Sequence, residues 1–124
     1  MVDTNSECLY RDRRRLAEDL AKTANFEILV LVKAGFQYIQ VDEPLFARHV
    51  GDAQSCSFEM LKRCFNGVPK GVCKIVYIWC GYPNFLDEED YKSTDPDSYR
   101  QLAKQMDVLN FDQLSIQDAI VQII

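Results

Sequence analysis

Histidine is nearly absent from this chain: one residue in 124, His49. No second imidazole is at hand to share a metal or a general-base task with it, so His49 is expected to be a loop or helix-end residue without chemistry. Apolar runs are short, none reaching the roughly 18 residues of a membrane span. The opening stretch Met1–Ser6 is polar where a signal peptide would carry an apolar core. A cytoplasmic protein with no membrane partner is expected. Excess positive charge is missing too. The net charge is −5, which argues against a nucleic-acid partner. The five cysteines, Cys8, Cys56, Cys64, Cys73 and Cys80, contain no CxxC pair and are odd in number, pointing to reduced thiols. The acidic loop Asn84–Thr94 holds Asp87, Glu88, Glu89 and Asp90. It lacks the alternating Asp/Asn and the sixth-position glycine of an EF-hand, so it is expected to be solvated.

What is present suits a single soluble globular unit, with 48% hydrophobic residues. Residues Leu9 to Ala34 predict a lead-in and a long helix. Leu16, Leu20, Ala24, Ile28, Leu31 and Val32 recur at three- and four-residue steps, and Gly35 fits the position after the helix end. The run Arg11–Arg15, interrupted by Asp12, predicts a solvated first turn. A strand follows over Phe36–Pro44, with Tyr38, Gln40 and Asp42 on one face and Gln37, Ile39 and Val41 on the other. Pro44 cannot continue a ladder, and Glu43 is expected to cap or orient the turn. After a polar loop at Gly51–Ser55, Ser57 is a candidate N-cap for a helix over Phe58–Asn66, closed by Gly67. Cys64 falls on that helix's apolar stripe and should behave as a small core hydrophobe.

Cys73–Cys80 predicts the second strand, rich in β-branched and aromatic residues. Asp95 and Pro96 open a third helix as N-cap and first helical residue, with Tyr99, Leu102, Ala103 and Met106 on its inner face. Phe111–Ala119 predicts the third strand. The tail 120–124 is apolar. Helix and strand alternate three times, which predicts an α/β fold with parallel strands and packed helices. Right-handed crossovers would bring the strand ends at Asp42, Trp79–Cys80 and Gln117–Asp118 to a common mouth.

The stretch Tyr38-Ile39-Gln40-Val41-Asp42-Glu43-Pro44 resembles the Y-I-Q-(I/V)-D-E-P signature of the cobalamin-independent methionine synthase family, in its C-terminal catalytic domain. Tyr10-Arg11-Asp12, Leu16–Ala21 and Ala34-Gly35 resemble the family's approach to that strand. The resemblance covers roughly residues 10–119; the tail 120–124 diverges. It implies a partial (β/α)8 TIM-type barrel of about three helix–strand units with parallel strands, spanning residues 1–124 as a single domain. A complete barrel takes roughly 200 residues or more. The open sheet edges are therefore expected either to be left as a truncation or to be covered by a homo- or hetero-oligomeric partner.

The family methylates the thiol of homocysteine from a folate donor, in methionine biosynthesis, with zinc holding the thiolate. Its ligands include an H-x-C pair on one strand and a glutamate on the next. Residues two apart on a strand share a face, which is why that spacing suits two donors. Here Val76–Pro83 resembles V-H-x-C-C-G-Y-P, with Tyr77 at the histidine position and Trp79 at the first cysteine position. Leu114–Ala119 resembles V-S-I-E-D-A, with Gln117 at the glutamate position, and the fourth ligand would lie beyond Ile124. Cys80 should point to the face opposite Tyr77 and Trp79. The resemblance therefore implies no zinc cofactor and no catalytic residue for this chain. Asp42 matches the aspartate that holds the substrate's amino group and is the candidate substrate-binding residue, for an amino-acid thiol; the alternative is a strand-end acid in solvent or capping a neighbouring helix. The expectation is a truncated copy, depleted of zinc ligands and inactive alone as an S-methyltransferase. The alternatives are a binding or regulatory module, a subunit completed by a partner chain, and a truncated gene product without a function.

Overall fold

The computed structural model describes residues 9–44, 46–47, 50–78 and 97–116. Over these residues the chain forms helix α1 (Arg13–Lys33) and strand β1 (Tyr38–Glu43). A helical turn at Val50–Asp52 then winds into a π-helical stretch at Ala53–Ser57. Helix α2 (Phe58–Cys64), strand β2 (Cys73–Ile78), helix α3 (Ser98–Val108) and strand β3 (Gln113–Ile116) complete the order. The three strands form one parallel sheet in the order β1-β2-β3. The α/β class, the parallel pairing and the three helix–strand units agree with expectation.

Local chemistry accounts for the ends of α1. Asp12 is extended and its carboxylate accepts the Arg14 N–H at 2.9 Å, satisfying a donor that the helix leaves open. At the other end Gly35 takes φ +97°. Its N–H donates to the Val32 carbonyl at 3.0 Å, while Phe36 N–H reaches back to Leu31 at 3.2 Å. This pair of bonds is a Schellman closure, and it needs a residue that tolerates positive φ. The buried stripe runs through Ala21 and Ile28, with Ala17, Ala24 and Val32 packed beside it; Leu16 is buried too, but apart from that cluster. Leu20 and Leu31, expected on that stripe, are 59% and 40% exposed. At about 100° per residue they fall some 60–80° round the helix from Ile28, on its flank. The arginine run is solvated as expected; Arg14 reaches Glu18 at 3.5 Å and Glu59 at 3.0 Å.

Helix α2 departs from expectation at its start. Ser57 has helical backbone angles and makes no side-chain cap bond, because the chain arrives already wound through Ala53–Ser57. The expected polar loop at Gly51–Ser55 is thus helical. Burial drives this: Ala53 is 1% exposed, and the Phe46 and Phe58 rings meet edge-on at 4.8 Å. Cys64 is a core residue, as expected, its thiol donating to the Met60 carbonyl at 3.3 Å.

Helix α3 is described from Ser98, with Asp97 in the cap position and no side-chain cap bond; Asp95 and Pro96 lie outside the described residues. Tyr99 and Leu102 are buried and Met106 is half-buried. Ala103, expected inward, is exposed, since it stands a 100° step from the fully buried Leu102. Asn110, at φ +60°, ends this helix as Gly35 ends α1. The third strand is shorter than expected at its start. Phe111 turns into the core edge against Phe65, centroids 5.5 Å apart. Asp112 binds the start of β2, its carboxylate accepting Lys74 N–H at 2.8 Å and its own N–H donating to the Lys74 carbonyl at 3.0 Å.

The sheet has two unlike faces. Ile39 (4% exposed), Val76 (1%) and Ile78 (0%) join Leu61 and Leu102 in the core between sheet and helices. Fully burying a side chain the size of Ile78 contributes about 2 kcal/mol. The alternate residues Tyr38, Gln40 and Asp42 of β1, Ile75 and Tyr77 of β2, and Gln113 and Ser115 of β3 leave the opposite face. None of these is buried. Among the described residues no helix is long and apolar enough to cross a membrane.

Candidate functional site

Parallel register sets up one row of side chains on the open face. Asp42 is the partner of Tyr77, and Tyr77 is the partner of Ser115. Neighbouring strands lie about 4.8 Å apart, so the row spans roughly 10 Å. It sits one residue before the carboxyl ends of all three strands, since β1 stops at Glu43 ahead of Pro44. One pleat earlier on the same face stand Gln40, Ile75 and Gln113. The structure therefore brings together two of the four residues singled out in the sequence, Asp42 and Tyr77. Trp79 and Gln117 lie outside the described residues, as do His49, Cys80, the acidic loop and the tail 120–124.

Asp42 is exposed, and its Oδ1 accepts a hydrogen bond from Gln40 Nε2 at 2.8 Å. Tyr77 is half-buried beside it. A carboxylate next to a phenol can bind an ammonium group and orient it. Among the described residues, no group of three or more His, Cys, Asp or Glu is arranged to hold a metal ion.

Glu43 behaves differently from its neighbour. It leaves β1 on the helix side, level with Ile78 and Ile116. Burial pushes its carboxyl up to about 7. The Cys64 thiol is also held above its ordinary value, by burial and then by the nearby Glu43 charge. Strand alternation signals this placement, since Glu43 follows Ile39 and Val41 at steps of two. The Gln40–Asp42 bond was likewise implicit in that step, because both residues share the open face.

A separate cleft of about 250 Å³ lies at the amino-terminal end of β2 and β3, lined by Lys62, Phe65, Asn66, Lys74, Asn110 and Phe111 among others. Its Lys74 ammonium is already engaged, donating to the Asn110 carbonyl at 3.3 Å and standing 3.9 Å from the Asp112 carboxylate. It is remote from the row at the strand ends.

Comparison with known proteins finds two relatives. Over 107 residues, 86% of this chain, it is 29% identical to the methionine synthase of Sulfurisphaera tokodaii. Over 59 residues, 48% of the chain, it is 41% identical to the methionine synthase of Thermococcus kodakarensis. The chain is methionine synthase-like over part of its length. The matched segments are 26% and 17% of those two relatives, so the chain spans about a quarter or less of the curated relatives it matches. No family profile matches it, and no solved structure does. The stretch Tyr38–Pro44, noted above for its resemblance, runs along β1, the strand that carries Asp42 onto the open face.

Proposed function

We propose that the chain is a partial (β/α)8-type barrel of the methionine synthase catalytic kind, keeping an amino-acid pocket at Asp42 without the zinc cage. The observation that carries the reading is the pairing of Asp42 with Tyr77. The position resembling the family's amine-binding aspartate keeps its carboxylate. The adjacent position, resembling its zinc-binding histidine, holds a phenol.

The residues present do not fit zinc. Structural and catalytic zinc sites draw on imidazole, thiolate and carboxylate donors. A phenol must first lose a proton with a pKa of about 10. By resemblance Trp79 offers no donor at all, and Gln117 offers a neutral carbonyl where a carboxylate would stand. On this reading the chain does not methylate homocysteine alone. It is a cytoplasmic, metal-less relative that holds the amino group of a thiol or thioether amino acid.

Three measurements on the purified chain test this: metal content, methyl transfer from 5-methyltetrahydrofolate to homocysteine, and calorimetric titration with methionine of the native chain and Asp42→Ala. The expected results are no stoichiometric zinc, no turnover, and methionine binding that Asp42→Ala abolishes. Stoichiometric zinc with turnover overturns the pseudoenzyme reading. Equal binding by both proteins removes the amine pocket.

One observation favours a second reading, a subunit completed by another chain. Among the described residues β1 and β3 each keep one unpaired edge, and Leu114 and Ile116 on β3 are 43% and 37% exposed. Size measurement in solution separates the two: a complex supports completion by a partner, and a strict monomer with nothing co-purifying argues against it.

A further inference from the structure

We propose that Gln40 is a positioning residue that fixes the Asp42 carboxylate for an α-ammonium group and thereby sets the site's preference for amino acids. The inference rests on the amine-pocket reading of Asp42 and adds to it the residue that makes the carboxylate selective. Gln40 and Asp42 are two apart on β1, so both side chains leave the open face. The Gln40 carboxamide donates from Nε2 to Asp42 Oδ1 at 2.8 Å. An exposed aspartate at a strand end otherwise samples several rotamers, and a ligand must fix one on binding. The bond holds Oδ1 and leaves Oδ2 for the incoming group.

The chemistry of the donor matters as much as its position. A lysine or arginine at residue 40 would hold the carboxylate too, but its charge would compete with the ligand's ammonium. A neutral amide orients Asp42 and leaves its full negative charge. Its own carbonyl oxygen remains as a second acceptor, and an ammonium carries three donors to share between the two. The ligand class is therefore a zwitterionic α-amino acid, discriminated from the same molecule without its amino group.

The test compares L-methionine with 4-(methylsulfanyl)butanoate, its analogue lacking the amino group, by calorimetric titration of the full chain. The proteins are the native chain, Asp42→Asn, Gln40→Leu and the near-isosteric Gln40→Met, each with a thermal melt. Both Gln40 variants are expected to melt as the native chain does, because the side chain is exposed. They should bind methionine at least about tenfold more weakly, the effect of one hydrogen bond to a charged group, with the analogue unchanged. Asp42→Asn should lose the discrimination altogether. If Asp42→Asn loses methionine while both Gln40 variants keep the native ratio, the positioning role is wrong and the pocket stands. A Gln40 variant that weakens both ligands equally also overturns it. If the native chain binds no methionine, or Asp42→Asn binds it unchanged, the pocket reading falls and this inference falls with it.

Discussion

Asp42 and Tyr77 are register partners on adjacent parallel strands, and both leave the sheet on the face opposite the buried residues Val76 and Ile78. One residue further on, Glu43 and Ile78 are also partners but leave the other face, where Ile78 is fully buried. The two carboxylates of the Asp-Glu-Pro turn thus enter opposite environments. One stays in water and is available to a ligand; the other is held among apolar side chains.

Glu43 should make the fold less stable as pH rises. Its carboxyl titrates near 7 in the folded chain against 4.5 when unfolded. Between those values the unfolded chain has given up a proton that the folded chain keeps, so raising the pH favours unfolding, by at most about 3 kcal/mol in total. Glu43→Gln removes the ionisation. It should melt close to the native chain at pH 4.5 and above it at pH 8. Equal melting differences at both values would show that burial does not hold the proton. On the acid side Asp19, held low by its hydrogen bond to Lys22, and Glu59, held low by its hydrogen bond to Arg63, act the other way. Their contributions are lost as pH falls through their folded values, and added salt should weaken them.

Much of this arrangement is legible in the sequence. The β-branched content of Cys73–Ile78 and the period of two along Tyr38–Glu43 place strands and faces, because side-chain alternation is a property of the extended backbone itself. The same rule puts Asp42 and Tyr77 on one side once the strands pair in this register. What could not be read depends on the incoming chain or on packing. Ser57 has a capping side chain but arrives in helical conformation, so it has nothing to cap. Leu20 and Leu31 satisfy a three-and-four spacing yet lie on the flank, since the stripe is centred on Ala21 and Ile28. Glu43 was legible by alternation, but its proximity to Cys64 comes from the packing of α2 on the sheet.

Asn25 ties α1 to the end of α2, and its loss should be costly for a half-buried residue. Its Nδ2 donates to the Cys64 carbonyl at 2.8 Å and to the Asn66 carbonyl at 2.7 Å, two groups that the end of α2 leaves open. Asn25→Ala removes both bonds and leaves a part-buried carbonyl without this donor. A loss of about 1–3 kcal/mol is expected in denaturant unfolding. A loss under about 0.5 kcal/mol would mean that water replaces the amide freely.

On the proposed reading, placing donors at Tyr77, Trp79 and Gln117 should give the chain metal affinity. Tyr77→His, Trp79→Cys and Gln117→Glu together supply an imidazole, a thiolate and a carboxylate, a set that zinc accepts with a fourth place left for water. Competition with a chromophoric chelator should show at least about tenfold tighter zinc binding in the triple variant than in the native chain. Tyr77→His alone should gain little. A triple variant no better than the native chain would mean that these positions do not converge.

Gly35→Ala isolates the backbone term in the closure that leads into β1. A Cβ built at Gly35 meets nothing within 4 Å, so no clash accompanies the change. The residue nevertheless sits at φ +97°, which an L side chain rarely adopts. The expected loss is about 1–2 kcal/mol, with the denaturant slope unchanged because the surface exposed on unfolding is the same. Asn, which tolerates positive φ better than Ala, should recover part of it. Because the closure sets the direction in which the chain enters β1, the Ala variant also tests whether Asp42 depends on that entry. Methionine affinity should be unchanged while stability falls, as long as the Gln37 carbonyl keeps its 2.7 Å bond from Cys73 N–H and anchors the strand. A matching loss of affinity would instead couple the helix end to the site.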